Sequence, residues 1–275
     1  EYLGDMRWYL DLVFKRTVEG MKVVGPPQRW VVDANWKIPA ENFVGDGYHL
    51  STTHRFAFAA RLASARDAST EASPHWTHYH IDAGNGHGLQ IAGFEPPAVV
   101  ARYMGLPEEL WPQVRDNLTL EQAGVLEHAT TIHGTVFPNL SVLNTVAPPR
   151  PSGEPAVGWA TLRVWQPLAP DKLELWSWFL VEKTSPDWYQ QASYETYVLV
   201  FGSAGTFEQD DTEIWAGITA ANMGVVGRES RLAYLQGLDA TPDPNWPGPG
   251  QAYSLGYCEL NQRAFLGRWL ELLEG

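Results

Sequence analysis

The sequence has 275 residues, 44% of them hydrophobic, which is enough for one large domain or two small ones with a full core and excludes a disordered tail. Lys and Arg number 19 against 32 Asp and Glu, and the net charge of −13 argues against a nucleic-acid partner, which would need a basic face. The single cysteine, Cys258, excludes an internal disulfide framework and a complete iron–sulfur site within this sequence.

The first part of the chain predicts a helix, two short strands and a second helix. Apolar residues at helical spacing predict a helix over 2–18, which Gly20 ends. Two strands follow, over 21–24 and 28–36, around the turn Gly25-Pro26-Pro27. Pro39 fits a first helical turn, and the helix-forming residues after it predict a helix over 40–54.

The middle of the chain predicts a loop, a hairpin and a broken helical region. Residues 55–74 are rich in Ala and Ser with little periodicity, which is typical of a loop. Gly84-Asn85-Gly86 predicts a hairpin turn between strands over 75–82 and 88–93. We expect the region 96–127 to be helical in two or three pieces, interrupted at Pro107 and Pro112.

Strands and then helices complete the chain. Alternating apolar residues predict consecutive antiparallel strands, over 129–137, 140–146, 158–167 and 172–182. Helices are predicted over 186–202, with Ser185 as N-cap, over 204–222 and over 258–274, and a Pro/Gly loop over 239–251. Strands in runs followed by helices predict an α+β fold, with helices on one side of an antiparallel sheet.

Two histidines in the predicted helix over 40–54 are candidate metal ligands. His49 and His54 are five residues apart, so their imidazoles converge only if the helix ends or bends between them. Ser51-Thr52-Thr53 could allow such a bend. Asp46 lies one turn before His49, where a carboxylate can accept a hydrogen bond from an imidazole. On spacing alone, imidazoles that merely line a helix end explain the pair equally well.

A second segment, 201–211, contains the acids Glu208, Asp210 and Asp211 near a predicted helix start. Acids at such a place can simply favour the helix dipole and face water. Combined with two histidines, however, one of these carboxylates would complete the ligand set of mononuclear non-heme iron(II) oxygenases.

Together the two segments resemble the catalytic domain of the large (α) subunit of Rieske non-heme iron ring-hydroxylating dioxygenases, above all its naphthalene and polycyclic-aromatic branch. The resemblance rests on two motifs: Asn-Trp-Lys-x-Pro-Ala-Glu-Asn-Phe-x-x-Asp-x-Tyr-His-x-x-x-x-His, from Asn35, and Phe-Gly-x-x-Gly-x-x-Glu-x-Asp-Asp, from Phe201. The run Thr135-Val136-Phe137-Pro138-Asn139 also fits. The resemblance covers most of the chain.

The resemblance implies a role for individual residues. It makes His49, His54 and Asp211 the ligands of a mononuclear Fe(II). It places Asp46 and Asn42 in the catalytic machinery, with Asp46 as the acid that bridges the iron site to the Rieske cluster of a neighbouring subunit. It assigns six residues to the substrate pocket: Phe43, Leu50, His133, Leu143, Phe201 and Phe207. Any of the five other than His133 can also be an ordinary core residue, and a satisfied core histidine explains His133 nearly as well.

The resemblance also implies an activity, partners and a fold. The activity is the addition of both atoms of O2 to an aromatic hydrocarbon, bicyclic or polycyclic, to give a cis-dihydrodiol. Electrons would come from NADH through a ferredoxin to a 2Fe–2S Rieske cluster. The partners would be other α subunits and a small β subunit, in an α3β3 assembly. The fold would be an antiparallel sheet wrapped around and covered by helices, as in helix-grip proteins.

One departure from the family is that the two Cys and His pairs of a Rieske domain cannot be present, since Cys258 is the only cysteine. The chain also begins at Glu1 and not at Met. We therefore expect residues 1–275 to be a single catalytic domain with a Rieske domain upstream. No apolar run reaches the roughly 18 residues of a membrane span and no signal peptide opens the chain, so we expect a cytoplasmic protein with no membrane partner.

Two other functions remain open on the residues themselves. A helix-grip module could bind a hydrophobic ligand without metal, with the histidines as structural groups. Two histidines and one carboxylate also serve zinc hydrolases. Metal analysis separates the three, since it would find iron, no metal or zinc. The cluster His75, His78 and His80 has no carboxylate motif beside it and is best explained by surface or core imidazoles.

Overall fold

A computed structural model of the chain describes residues 1–55, 75–95, 97, 102–147 and 156–275. The described part forms one antiparallel sheet of nine strands flanked by helices, which confirms the predicted α+β class. The strands are β1 (Met21–Val23), β2 (Gln28–Val32), β3 (His75–Asp82), β4 (Gly88–Glu95), β5 (Ala129–Val136), β6 (Leu140–Ala147), β7 (Val157–Ala169), β8 (Lys172–Glu182) and β9 (Gln251–Tyr253). Nearly all of the loop predicted over 55–74 lies outside the described residues.

Eight right-handed α-helices are present in the described ranges, besides a short helical turn over Arg102–Gly105 in which Tyr103 and Met104 have φ values of 50° and 61°. They are α1 (Met6–Phe14), α2 (Lys37–Phe43), α3 (Trp111–Asn117), α4 (Leu120–His128), α5 (Asp187–Phe201), α6 (Thr206–Met223), α7 (Val225–Glu229) and α8 (Leu260–Glu274). Short 3-10 helices cover Tyr48–Ser51 and Glu108–Leu110. Within the same ranges, no helix is both long and apolar enough to cross a membrane.

The sheet follows the predicted succession of strands. Strands β5, β6, β7 and β8 pair in sequence order, each antiparallel to the next. The predicted hairpin joins β3 and β4, and Asn85 adopts a left-handed φ of 55° in its turn, a conformation that Asn tolerates better than most residues. Strand β9 pairs with the outer edge of β3.

Strands β1 and β2 do not pair with each other across the turn at 25–27. Both pair with β8, β1 with its end and β2 with its beginning. They therefore form one interrupted edge strand, and Pro26 and Pro27 interrupt it because proline has no N–H to donate to the neighbouring strand.

Helices cover both faces of the sheet, so the expectation of helices on one side only was wrong. On one face, the Thr135 hydroxyl of β5 donates to Ala40 O in α2, and the Tyr197 hydroxyl of α5 to Ser177 of β8. On the opposite face, Arg16, just after α1, forms a buried ion pair with Glu182 of β8. Gln122 of α4 donates to Trp8 O in α1. The candidate site lies on the face covered by α2, α5 and α6.

Three details of the predicted helices were wrong. The helix expected over 40–54 ends at Phe43, and a turn and a 3-10 helix follow it. Pro112 lies in the first turn of α3 and does not interrupt it, since a first turn needs no N–H at that position. Ser185 does not cap α5, because its hydroxyl donates to Glu182 O.

Candidate metal centre

The backbone between α2 and the first 3-10 helix turns His49 towards His54. Gly45 has a φ of 158°, and the 3-10 helix over Tyr48–Ser51 then carries His49. At Gly47 a Cβ would lie 1.8 Å from Gln90 Oε1, so a side chain at this position would displace the Gln90 amide. The two imidazoles therefore converge because the α-helix ends before His49, earlier than the bend expected at residues 51–53.

Three donor atoms meet at one point. His49 Nε2 is 3.3 Å from His54 Nε2 and 3.6 Å from Asp211 Oδ1. His54 Nε2 is 3.1 Å from the same oxygen of Asp211. His54 and Asp211 are buried, with 1% and 3% of their surface exposed, and His49 is half-buried. The structure thus brings together the three residues that the sequence predicted as ligands.

The other nitrogen of each imidazole faces an acceptor. His49 Nδ1 is 2.5 Å from Asp46 O, and His54 Nδ1 is 3.2 Å from Asp210 Oδ2. A carbonyl or carboxylate oxygen can only accept, so each neutral imidazole carries its hydrogen on Nδ1. With both rings neutral, the two Nε2 lone pairs point towards a carboxylate oxygen with no hydrogen among the three atoms. A cation at the centre, either a proton on an imidazole or a metal ion, makes the arrangement favourable.

Asp46 and Asn42 both lie next to His49. Asp46 Oδ1 accepts from the His49 backbone N–H at 3.2 Å, and Asn42 Nδ2 donates to Asp46 Oδ2 at 3.2 Å. Burial acts to raise the pKa of Asp46, but its hydrogen bonds to His49 outweigh it and the pKa is lowered. Burial acts to lower the pKa of His49, but Asp46 and Asp211 raise it to about 9. The site therefore favours positive charge.

A metal ion fits these residues. Ligands about 2.1 Å from one ion stand about 3.0 Å apart at a right angle and about 3.4 Å apart at a tetrahedral angle. The three observed separations, 3.1, 3.3 and 3.6 Å, lie close to this range. Two imidazoles and one carboxylate match the facial ligand set of non-heme iron(II) oxygenases. Zinc accepts the same donor types, so the donor set itself does not choose between the two metals.

Two groups that support the site were not predicted. Asp210 accepts from His54 and so orients it, although the sequence analysis treated this acid only as one of three near a helix start. Glu208, the first of those acids, is buried and does not face water. It forms an ion pair with Arg163 of β7, whose Nη2 also donates to Phe201 O at 3.1 Å. Both roles depend on a partner far away in the sequence, and the residues next to Asp210 and Glu208 give no sign of that partner.

Five of the six predicted pocket residues form one connected set, which contacts His54 through Phe207 and Arg163 through Phe43 and Phe201. Phe207 packs on the His54 ring at 4.4 Å and on Phe201 at 5.6 Å. The Arg163 guanidinium lies 5.0 Å from the ring of Phe201 and 5.4 Å from that of Phe43. Phe43 meets His133 edge to face, and Leu143 is the cross-strand neighbour of His133. Leu50, on the 3-10 helix, packs against the hydrophobic core.

Of the cluster His75, His78 and His80, the structure describes two side chains. His78 contacts Gln90, and His80 is buried in the sheet, where burial lowers its pKa to about 4. Within the described ranges, neither belongs to a group of donors that could hold a metal ion.

A family model described as "Ring hydroxylating alpha subunit (catalytic domain)" matches residues 1–233. The chain is 31% identical to the α subunit of N,N-dimethyl phenylurea N-demethylase from Sphingobium sp. (strain YBL2), over 99% of this chain and 60% of that one. It is 30% identical to the α subunit of benzene 1,2-dioxygenase from Pseudomonas putida, over 99% of this chain and 59% of that one.

The fold is similar to solved structures of naphthalene 1,2-dioxygenase. The enzyme from Rhodococcus sp., bound to indole, superimposes with a TM-score of 0.90 and 45% identity, over 99% of this chain and 61% of that one. A second naphthalene 1,2-dioxygenase with indole bound gives a TM-score of 0.77 and 25% identity, over 100% of this chain and 59% of that one. The chain thus spans about 60% of the length of the proteins it matches.

Proposed function

The chain belongs to the family of ring-hydroxylating α subunits, as their catalytic domain, and from this membership we propose that it is the oxygen-activating part of an aromatic ring-hydroxylating dioxygenase. His49, His54 and Asp211 hold one Fe(II). When bound, this ion supplies the redox chemistry that activates O2. The observation that supports the proposal is the convergence of two imidazole nitrogens and one carboxylate oxygen, which lie 3.1, 3.3 and 3.6 Å from one another.

The proposed reaction adds both atoms of O2 to an aromatic ring. Two electrons and two protons complete the balance, and the product is a cis-dihydrodiol. The aromatic side chains Phe43, Phe201 and Phe207 bind the flat substrate through apolar contacts and exclude water from the site. A bicyclic or polycyclic hydrocarbon is the favoured substrate class, because 45% identity links the chain to a naphthalene 1,2-dioxygenase.

Electron supply requires a second redox centre, which we propose to be a 2Fe–2S Rieske cluster served by NADH through a ferredoxin. Asp46 is the proposed entry point. It contacts His49 on one side and remains about a fifth exposed on the other, so a group from a neighbouring α subunit can reach it. The active unit would then be an oligomer of α subunits with a small β subunit, α3β3. Relatives named as α subunits support the existence of further components.

Metal binding is tested on the 275-residue chain itself. Anaerobic titration with Fe(II) is expected to saturate at one equivalent, and His54→Ala is expected to lose this binding while the far-ultraviolet circular dichroism stays unchanged. His128→Ala is the matched control, because His128 is partly exposed and bonds to Phe94 O away from the site. Full Fe(II) occupancy in His54→Ala would contradict the assignment.

Activity is tested on the full-length α subunit together with its electron donors, with naphthalene and isotopically labelled O2. A cis-dihydrodiol that carries two labelled oxygen atoms is expected. A product with no labelled oxygen would indicate a hydrolase. Oxidation confined to an N-methyl group of a phenylurea would place the chain with its demethylase relative instead.

A further inference from the structure

Three residues on neighbouring strands form a row across the face of the sheet that carries the candidate site. His133 of β5 lies opposite Leu143 of β6, and Leu143 lies opposite Thr161 of β7. Directly opposed residues on antiparallel strands point to the same face, with Cβ atoms about 5 Å apart. His133 and Leu143 are predicted pocket residues, and Thr161 extends their row to the next strand.

The ring of Phe201 lies beside the same part of β7. Side chains alternate along a strand, so Trp159, Thr161 and Arg163 point to one face. The Phe201 ring is 5.3 Å from the ring of Trp159 and 5.0 Å from Arg163 Cζ. It therefore spans the position between them, which Thr161 occupies. Two predicted pocket residues, Leu143 and Phe201, thus adjoin Thr161.

The hydroxyl of Thr161 is buried and has no hydrogen-bond partner among the residues that the structure describes, although Thr161 is 0% exposed. The hydroxyls in the rows on either side are paired. Thr131 bonds to Thr145 at 2.8 Å, and Thr135 bonds to Ser141 at 2.8 Å. A buried hydroxyl without a partner destabilises the folded chain, and a valine of nearly the same shape would avoid this cost.

We propose that Thr161 is a specificity-determining residue of the site, whose hydroxyl donates a hydrogen bond to an acceptor atom of the bound aromatic ring. This proposal rests on the proposed function, because it refines the class of substrate at that site. Both ring nitrogens of His133 already have protein partners, so Thr161 supplies the unpaired polar group of the row. Leu143 and Phe201 supply apolar contacts. A bicyclic ring with one acceptor, such as a ring nitrogen, then gains a bond that a plain hydrocarbon cannot make.

The hydrogen bond is tested by comparing naphthalene with quinoline and isoquinoline. These two heterocycles have the shape of naphthalene and carry one ring nitrogen, on different edges, which can accept. Their Kd values are measured by equilibrium dialysis on the full-length α subunit with its partners, without O2, so that no ligand is oxidised. The quantity of interest is the preference for the tighter-binding heterocycle over naphthalene.

Thr161→Val removes the hydroxyl and keeps the shape of the side chain, so this preference should fall by about three- to ten-fold. Thr161→Ser keeps the hydroxyl and should retain the preference. Any bond between the ring nitrogen and iron is common to all these proteins and cancels in the comparison. An equal preference in the wild type and Thr161→Val would overturn the proposal.

Urea unfolding of the same proteins gives a readout that needs no ligand. Removal of an unpaired hydroxyl should not lower the unfolding midpoint of Thr161→Val. Thr130→Val is the matched control. Thr130 is also buried in the sheet, but its hydroxyl donates to Ala92 O at 3.3 Å. Its midpoint should therefore fall, while its ligand preference stays unchanged. An equal fall in both variants would show that the Thr161 hydroxyl has a partner, and would overturn the proposal.

The two proposals fail separately. If naphthalene is oxidised but Thr161→Val keeps the wild-type preference, the role of Thr161 is wrong and the proposed function stands. If the preference falls in Thr161→Val but no aromatic ring is oxidised, Thr161 contacts the ligand as proposed and the proposed function fails.

Discussion

Replacing Arg163 by Met should destabilise the protein strongly, because it leaves a buried carboxyl without its partner. Arg163 and Glu208 are 0% and 1% exposed, and Arg163 Nη1 donates to Glu208 Oε2 at 2.7 Å. The guanidinium also donates to Phe201 O and lies among the rings of Phe43, Trp165 and Phe201. Met keeps the apolar stem that packs among these rings and removes only the charge and the hydrogen bonds.

The expected loss of unfolding free energy is about 3–5 kcal/mol, the range for breaking a buried ion pair on one side. With a urea m-value of about 3 kcal/mol per molar, the unfolding midpoint falls by about 1–1.7 M. The double variant Arg163→Met/Glu208→Leu should recover most of this loss. The second carboxylate oxygen of Glu208 has no hydrogen-bond partner among the described residues. Replacing Glu208 by Leu in the double variant therefore removes no hydrogen bond beyond the one already lost with Arg163.

The loss should also depend on pH. Burial raises the pKa of Glu208 to about 7, although Arg163 acts to lower it. Without Arg163 the pKa of Glu208 rises further. At pH values between its ordinary pKa near 4.5 and this raised pKa, Glu208 is protonated in the folded state but ionised in the unfolded state. The stability of Arg163→Met should therefore decrease as the pH rises from about 5 to 8.

The assay is urea unfolding followed by tryptophan fluorescence, for both variants and a control. Arg29→Met makes the same substitution in an exposed pair with Glu174 on the sheet surface, where the expected change is about 0–1 kcal/mol. A loss below about 1 kcal/mol in Arg163→Met, or a double variant no more stable than the single one, would refute this reasoning.

Three further predictions concern the site. Asp210→Asn keeps an acceptor for His54 but weakens it, and Fe(II) affinity measured by titration should fall by about 10- to 100-fold; an unchanged affinity would mean that Asp210 does not orient His54. Asp46→Asn should retain its iron by metal analysis but form product far more slowly in a single turnover with a reduced Rieske centre, and a wild-type rate would exclude electron entry at Asp46. Phe201→Val enlarges the predicted pocket by several carbon atoms, each methylene being worth about 0.8 kcal/mol, so the ratio of product regioisomers measured by chromatography should change; an identical ratio would place Phe201 outside the pocket.

Local sequence signals predicted most of the fold. The turn at Gly84-Asn85-Gly86 and the alternation in β7 and β8 each act within a few residues, and the strands they predict are present. The helix over 40–54 failed because its residues favour a helix locally, while contacts from elsewhere end it. Asn261 of α8 donates to Val44 O at 2.9 Å, where α2 ends, and the next residue, Gly45, has a φ of 158°.

The candidate site was predictable only in part for the same reason. His49, His54 and Asp211 were found because two motifs, each compact in sequence, match one family. The roles of Arg163 and Asp210 depend on partners in distant segments, and no spacing within the chain reveals those pairings. Glu208 illustrates the limit, since an acid near a helix start is usually solvated and this one is not.

The distance in sequence between the two halves of the metal centre affects how the protein folds. His54 and Asp210 are 156 residues apart, and β3 to β8 lie between them. The two segments meet only when α6 is docked on the sheet, so the complete centre exists only in the folded chain. An ion that binds only the finished centre then stabilises the complete chain, by about 2.7 kcal/mol at a hundred times its Kd. Metal supply would therefore influence how much folded protein accumulates.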